Sequence, residues 1–187
     1  MFEKSHLTAD TTIQHFLTME NTDDLKKYFD SKEYITQIIG IDKEEAPKVS
    51  ESEISNLISL LTEPENKAFK EETLLTLKKE KAGDRLLLAI ASPKAKTNKH
   101  FLVAACWESE INFSKYLSFF IILALDSDDS VSLEAITVIS TMEGPFDTNA
   151  VKEGIKKVKA FIQNSATGTR TVLLNDLVFT LEDFLTV

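Results

Sequence analysis

The chain has 187 residues, of which 43% are apolar and 27% charged, with a formal net charge of −9 and only five Gly and four Pro. That length suits one domain, or a small one with an appendage, and a globule of this size buries roughly 70% of its unfolded surface without needing a staple. So few turn-formers argue against an all-β fold, the acidity opposes nucleic-acid backbones and anionic membranes, and the single cysteine, Cys106, excludes an intramolecular disulfide and fits a reducing compartment.

Met1 to Asp10 is polar and mixed, without the apolar run of a signal peptide. Ile13, Phe16 and Leu17 suggest a short helix. Asn21-Thr22-Asp23-Asp24 then offers capping and first-turn acids to a longer one carrying Leu25, Tyr28, Phe29, Ile35, Ile38 and Ile39, with Gly40 at its end. The charged stretch Asp42 to Pro47 reads as a linker, so the chain divides into an N-terminal helical segment, 1–46, and a main helical region, 47–187.

Ser50 and Glu53 have capping-box spacing and open a helix with Ile54, Leu57, Ile58, Leu60 and Leu61. Pro64 suits the first turn of the next helix, which carries Ala68, Phe69, Leu74, Leu75 and Leu77. Gly83-Asp84 breaks it, a short helix spans Leu86 to Ala91, and Ser92-Pro93 ends that. Denser helices follow: one with Phe101, Leu102, Ala104, Ala105 and Cys106, one over Tyr116 to Leu125, and one with Val131, Ala135, Ile136, Val138 and Ile139. A fourth holds Val151, Ile155, Val158, Phe161 and Ile162, and a last one, from Val172, runs to the terminus. The apolar run Leu117 to Leu125 is about half the length of a membrane span, so it reads as a core helix of a soluble, cytoplasmic protein.

Short connections of roughly four to six residues imply antiparallel neighbours. Phe101-Leu102-Val103-Ala104-Ala105 superposes on Leu133-Glu134-Ala135-Ile136-Thr137 at an offset of 32, a spacing typical of helix-pair repeats. The run Asp128-Asp129-Ser130-Val131-Ser132-Leu133-Glu134-Ala135 resembles the start of a HEAT or armadillo-type repeat. An acid, Val131 and the small residue Ala135 match, whereas Ser132 stands where the family usually has Arg. The resemblance is clearest from Asn98 to Asn164. It implies an all-α fold, an α-solenoid of stacked antiparallel helix pairs with an extra N-terminal segment; a non-repeat helical bundle is the alternative.

Catalytic chemistry finds little support. Asp126, Asp128 and Asp129 resemble a calcium loop, but the sixth and twelfth positions are Val131 and Thr137 instead of Gly and Glu. Helix capping explains the acids better. His6, His15 and His100 lack partners at metal-site spacing, Cys106 sits in an apolar helix, and neither a Gly-x-Ser-x-Gly turn nor a phosphate loop occurs. No cofactor or metal is expected, and the chain reads as non-enzymatic.

Trp107, beside Glu108 and Glu110 at a helix end, is a candidate contact residue. Stacked repeats would align the acidic turns Glu108/Glu110, Asp126/Asp128/Asp129 and Glu143/Asp147 along one edge, a ridge suited to a basic protein partner. The expectation is a protein–protein interaction module that binds neither nucleic acid nor membrane. Two alternatives stand beside it. One is a HEAT-like enzyme of the DNA-glycosylase type, or a nucleic-acid binder, using the Lys152–Lys159 face with Trp107 and Glu108 or Glu110. The other is a homodimer through the C-terminal helix, where Val172, Leu173, Val178 and Leu181 leave few charges.

Overall fold

In the computed structural model the described residues are 50–63, 67–164 and 168–186. The chain divides into two units, Met1–Ala46 and Pro47–Val187, and all described residues belong to the second. The expected helices before Gly40, the linker from Asp42 to Pro47 and the placement of Pro64 lie outside them.

Every regular element among the described residues is helical. Eight α-helices follow in order: α1 (Glu51–Thr62), α2 (Lys67–Lys79), α3 (Gly83–Ala91), α4 (Lys99–Glu108), α5 (Leu117–Asp126), α6 (Asp129–Ser140), α7 (Thr148–Asn164) and α8 (Thr169–Asp183). Short 3-10 turns at Pro93–Ala95 and Ser114–Tyr116 lead into α4 and α5.

Local chemistry sets the helix boundaries. Ser50 and Glu53 form the capping box: Glu53 N donates to Ser50 Oγ at 3.2 Å and Ser50 N to Glu53 Oε2 at 2.7 Å. Two lysines, Lys78 and Lys79, lie in the last turn of α2, at the negative end of its dipole. Lys81 then adopts φ +54, and Ala82 N donates back to Leu77 O at 2.9 Å, the left-handed signature of a Schellman ending. Gly83 and Asp84 therefore start α3 instead of breaking it. Gly83 is needed for space: a Cβ there would lie 2.9 Å from Phe113 Cε1. The last helix stops at Asp183, with 184–186 as a turn, short of the terminus it was expected to reach.

The core centres on α5. Leu117, Phe119, Phe120, Ile121, Leu123, Ala124 and Leu125 are all buried, which explains why its apolar residues show no single face. Phe120 packs edge-on against both Phe113 and Phe119. α7 approaches closely at Gly154, where a Cβ would come 2.4 Å from Ile121 Cδ1.

Sequential helices pack as α1–α2, α3–α4, α5–α6 and α7–α8. Alternate helices pack as well: α1–α3, α5–α7, α4–α6 and α6–α8. Ion pairs add α2 to the even set, with Lys70 Nζ 2.7 Å from Glu108 Oε2 and Lys78 paired to Glu110.

Candidate functional site

Antiparallel hairpins place successive turns at alternate ends of the helices, and this decides where the acidic turns lie. Asn112 Nδ2, just after α4, donates to Glu143 O, just after α6, at 2.6 Å. Glu108, Glu110, Glu143 and Asp147 therefore share one end. At the other end Arg170, opening α8, donates to Leu125 O at the close of α5 and lies 3.6 Å from Asp129. Asp126, Asp128 and Asp129 gather there. The expected single acidic ridge is thus two separate sets, because α5 and α6 reverse the chain between them.

Most of the acids already have partners. Glu108 is largely covered, and its contact with Lys70 is ionic more than a well-aligned hydrogen bond. Glu110, at φ +53, is held below the usual carboxylate range by its hydrogen bond from Lys78 and by that lysine's charge. Asp128 is the N-cap of α6: Oδ1 accepts from Val131 N at 3.0 Å, Ser130 N at 3.1 Å and Ser130 Oγ at 2.9 Å. The Val131 bond leads the causes that depress its pKa, against a smaller opposing effect of burial. Asp147 accepts from Ala150 N at 2.8 Å at the start of α7. Glu143 is exposed and offers its carbonyl to Asn112. Asp126 is the last residue of α5.

Trp107 stands at the end of α4, 38% exposed, and its Nε1 donates to Glu134 Oε2 on α6 at 2.8 Å. The aromatic–carboxylate pairing expected with Glu108 or Glu110 is not assembled, since those acids serve Lys70 and Lys78. Cys106 is fully buried, donates to Leu102 O at 3.6 Å, and burial pushes its thiol far above the ordinary range, so it offers no thiolate. The pKa of Lys99, the first residue of α4, is lowered by desolvation, with the Asp128 charge opposing that shift. Among the described residues, no three His, Cys, Asp or Glu side chains gather as a metal set. No described helix is long and apolar enough to cross a membrane.

The lysine face of α7 is partly neutralised: Lys156 lies 3.8 Å from Glu153, and Lys159 lies 2.7 Å from Glu182. Arg170 does not belong to that face. Its guanidinium turns inward, donating to Leu125 O at 2.6 Å and Ala124 O at 3.3 Å and lying over the Phe161 ring at 5.3 Å. Ser132, which replaces the arginine of the repeat pattern, is buried and donates to Ala124 O at 2.7 Å. An acid–arginine contact exists after all, supplied to Asp129 from a different helix.

Hollows lie elsewhere among the described residues, one of about 430 Å³ lined by Lys115, Leu117, Pro145 and Asp147. A groove of about 430 Å³ between α1 and α2 is lined by Leu57, Leu60, Phe69 and Leu77 with Glu53, Glu72, Glu80 and Arg85 at its edges. A third, of about 330 Å³, is ringed by Lys78, Lys81, Asp84, Glu110, Lys115 and Tyr116. Four of its charges are matched, Lys78 with Glu110 and Asp84 with both Lys115 and the Tyr116 hydroxyl, and Lys81 is the cation in excess.

The feature that helical periodicity alone did not reveal is apolar. On the described helices, the exposed large apolar side chains are Phe69 and Leu75 on α2, Phe101 and Trp107 on α4, Leu133 on α6, and Val172 and Phe179 on α8. All lie on even-numbered helices. The acids Glu108, Asp129, Glu134, Asp176, Glu182 and Asp183 share α4, α6 and α8 with Lys99 and Arg170, whereas α2 is basic, with Lys67, Lys70, Lys78 and Lys79 against Glu71 and Glu72, so the acidic excess belongs to α4, α6 and α8. No protein-family model, curated protein or solved structure matches the chain.

Proposed function

We propose that the chain is a non-catalytic protein-binding module, a HEAT/armadillo-like stack of antiparallel helix pairs whose even helices form the working face toward a basic protein. The observation that carries this reading is the segregation of exposed apolar side chains onto α2, α4, α6 and α8, when scattered single exposures are the norm for a surface without a partner. Aromatic anchors such as Trp107, Phe101 and Phe179 suit an interface core, and the surrounding acids suit its rim.

Packing of α1 with α3, α4 with α6, α5 with α7 and α6 with α8 supports the stacked arrangement, because a solenoid brings helices against their counterparts in the next pair, although α1 also packs against α4. The 32-residue offset between Phe101 and Leu133 fits it, since these residues occupy matching exposed positions on α4 and α6. Glu134, Asp176 and Asp183 contribute acidity to this face, Glu108 is offset by Lys70 and Asp129 lies beside Arg170, while Glu110, Glu143 and Asp147 belong to one end of the helices. With Lys156 and Lys159 beside acids, the lysine face is the weaker candidate for a phosphate backbone.

Affinity capture with the full chain tests the proposal. Proteins retained by the wild type are expected to be lost with the Phe101→Ser/Leu133→Ser/Phe179→Ser variant and kept by Lys152→Ser/Lys156→Ser. The reverse pattern, or identical retention by all three chains, refutes it. Retained partners should elute with rising salt.

A further inference from the structure

α8 narrows the chemistry of the partner, in a step that rests on the binding role proposed above. Leu174, Leu177, Val178 and Leu181 are buried where α8 packs against α7 and α6. Much of the apolar excess that suggested a homodimer is therefore internal packing. What remains outside is a narrow stripe. Val172 and Phe179, 60% and 65% exposed, have the highest exposures of any large apolar side chain among the described residues. They lie seven residues apart, two turns along one face. Asp176 and Asp183 are exposed on the same side and have no ion-pair partner among the described residues. Arg170, the cation of α8 itself, points into the end of α5, and Lys159 of the adjoining α7 holds Glu182.

This pattern is poor at meeting itself. A two-fold antiparallel pairing about Phe179 would set Asp176 against Glu182 and Asn175 against Asp183 of the second copy. A parallel pairing would set Asp176 against its own equivalent. The parallel arrangement crowds carboxylates around an apolar centre, and in the antiparallel one Asp176 meets a Glu182 whose cation, Lys159, is already engaged, so neither offers Asp176 and Asp183 a free cation, and like charges placed across an interface select against it.

We propose that the Val172–Phe179 stripe is a docking site for a basic amphipathic helix of another protein, not for a second copy of this chain. The partner's apolar residues would cover Val172 and Phe179, and its Lys or Arg side chains would face Asp176 and Asp183. That is the helix-on-helix mode of recognition, read by anchors one and two turns apart.

The test uses the full chain and three labelled helical peptides of about 16 residues, long enough to follow the roughly 22 Å of α8. One is amphipathic Leu/Lys, one is its Leu/Glu twin, and one is a Gln/Lys peptide that keeps the charge without the apolar face. Fluorescence anisotropy is expected to show Leu/Lys binding, with the other two at least about tenfold weaker. Phe179→Ser and Asp176→Lys should each weaken Leu/Lys binding by about tenfold or more, and sedimentation equilibrium should show a monomer at micromolar concentration. A dimer that Phe179→Ser dissociates overturns the inference in favour of a second copy. Equal binding of the Leu/Glu or Gln/Lys peptide, or no binding of any, overturns it as well. If Phe101→Ser/Leu133→Ser abolishes Leu/Lys binding while Phe179→Ser and Asp176→Lys do not, the even face stands and the α8 assignment falls. If all these variants bind as the wild type does and only Lys152→Ser/Lys156→Ser weakens binding, both fall.

Discussion

Replacing Arg170 with Ala should cost the chain about 2–4 kcal/mol, although the residue lies at the start of a helix. Its guanidinium supplies hydrogen bonds to two carbonyls at the close of α5, at 2.6 Å and 3.3 Å, where the helix would otherwise end with unpaired acceptors. Ser132 keeps Ala124 O satisfied, so the main loss is at Leu125 O. A hydrogen bond from a charged donor contributes about 1.5–3 kcal/mol. The contact with Phe161 adds about 0.5–1 kcal/mol. The pair with Asp129, 86% exposed, adds little, about 0–0.5 kcal/mol. At about 2–4 °C per kcal/mol for a chain this size, the midpoint should fall by roughly 5–10 °C. Urea titration followed by far-UV dichroism and Trp107 fluorescence measures the change. Arg170→Met keeps the stem and should lose nearly as much as Ala, while Asp129→Asn should lose under about 0.5 kcal/mol. An Arg170→Ala loss below about 0.5 kcal/mol, or an equal loss from Asp129→Asn, would refute the assignment of Arg170 as the clasp between α8 and α5.

Further expectations follow from the helix ends. Lys81→Gly should stabilise by about 1 kcal/mol, since φ +54 strains a residue with a Cβ; a loss in thermal unfolding would contradict the Schellman reading. Asp128→Ala should cost about 1 kcal/mol as a lost cap. Because the folded pKa of Asp128 is depressed, its stabilisation is complete above the unfolded value of about 3.9 and disappears as pH falls through the lower folded value. The difference between wild type and Asp128→Ala should therefore shrink below about pH 4, and a constant gap down to pH 2 would contradict the assignment. Gly83→Ala should destabilise by about 1 kcal/mol, because crowding of the buried Phe113 ring at about 1–3 kcal/mol outweighs the gain in helix propensity. Glu134→Ala should red-shift Trp107 emission as its indole N–H turns to water, and an unchanged spectrum would argue against the 2.8 Å bond.

Helix positions were legible where side-chain chemistry acts locally. The Ser50–Glu53 box, a capping acid among Asp126, Asp128 and Asp129 and the Ser92-Pro93 stop each depend on neighbours within a turn, and each appears in the structure, the cap being Asp128. The start of α3 was misread because the reason for Gly83 is Phe113, distant in sequence and supplied by packing. The acidic turns were legible as acidic, but whether they share an edge depends on the reversal between α5 and α6. The partners of Glu108 and Glu110 lie on α2, beyond the reach of periodicity. Arg170 lies near the α7 lysines along the chain, yet its side chain crosses to α5, a long-range contact that periodicity does not carry. The even-face apolar set was present in the helical patterns as ordinary core positions. Phe101, Leu133 and Val172 differ from their buried neighbours only in which side of the helix the next one covers.

Site-specific photocrosslinking tests the binding role most directly. A photoreactive residue in place of Leu133 or Phe179 samples the even helices, and one in place of Ser118, exposed on α5, or Lys156, exposed on α7, samples the odd ones. The result expected in the cells that make the protein is a discrete heavier adduct from the even positions that contains another protein and diminishes with salt. Adducts arising from Ser118 or Lys156 while Leu133 and Phe179 give none would contradict it.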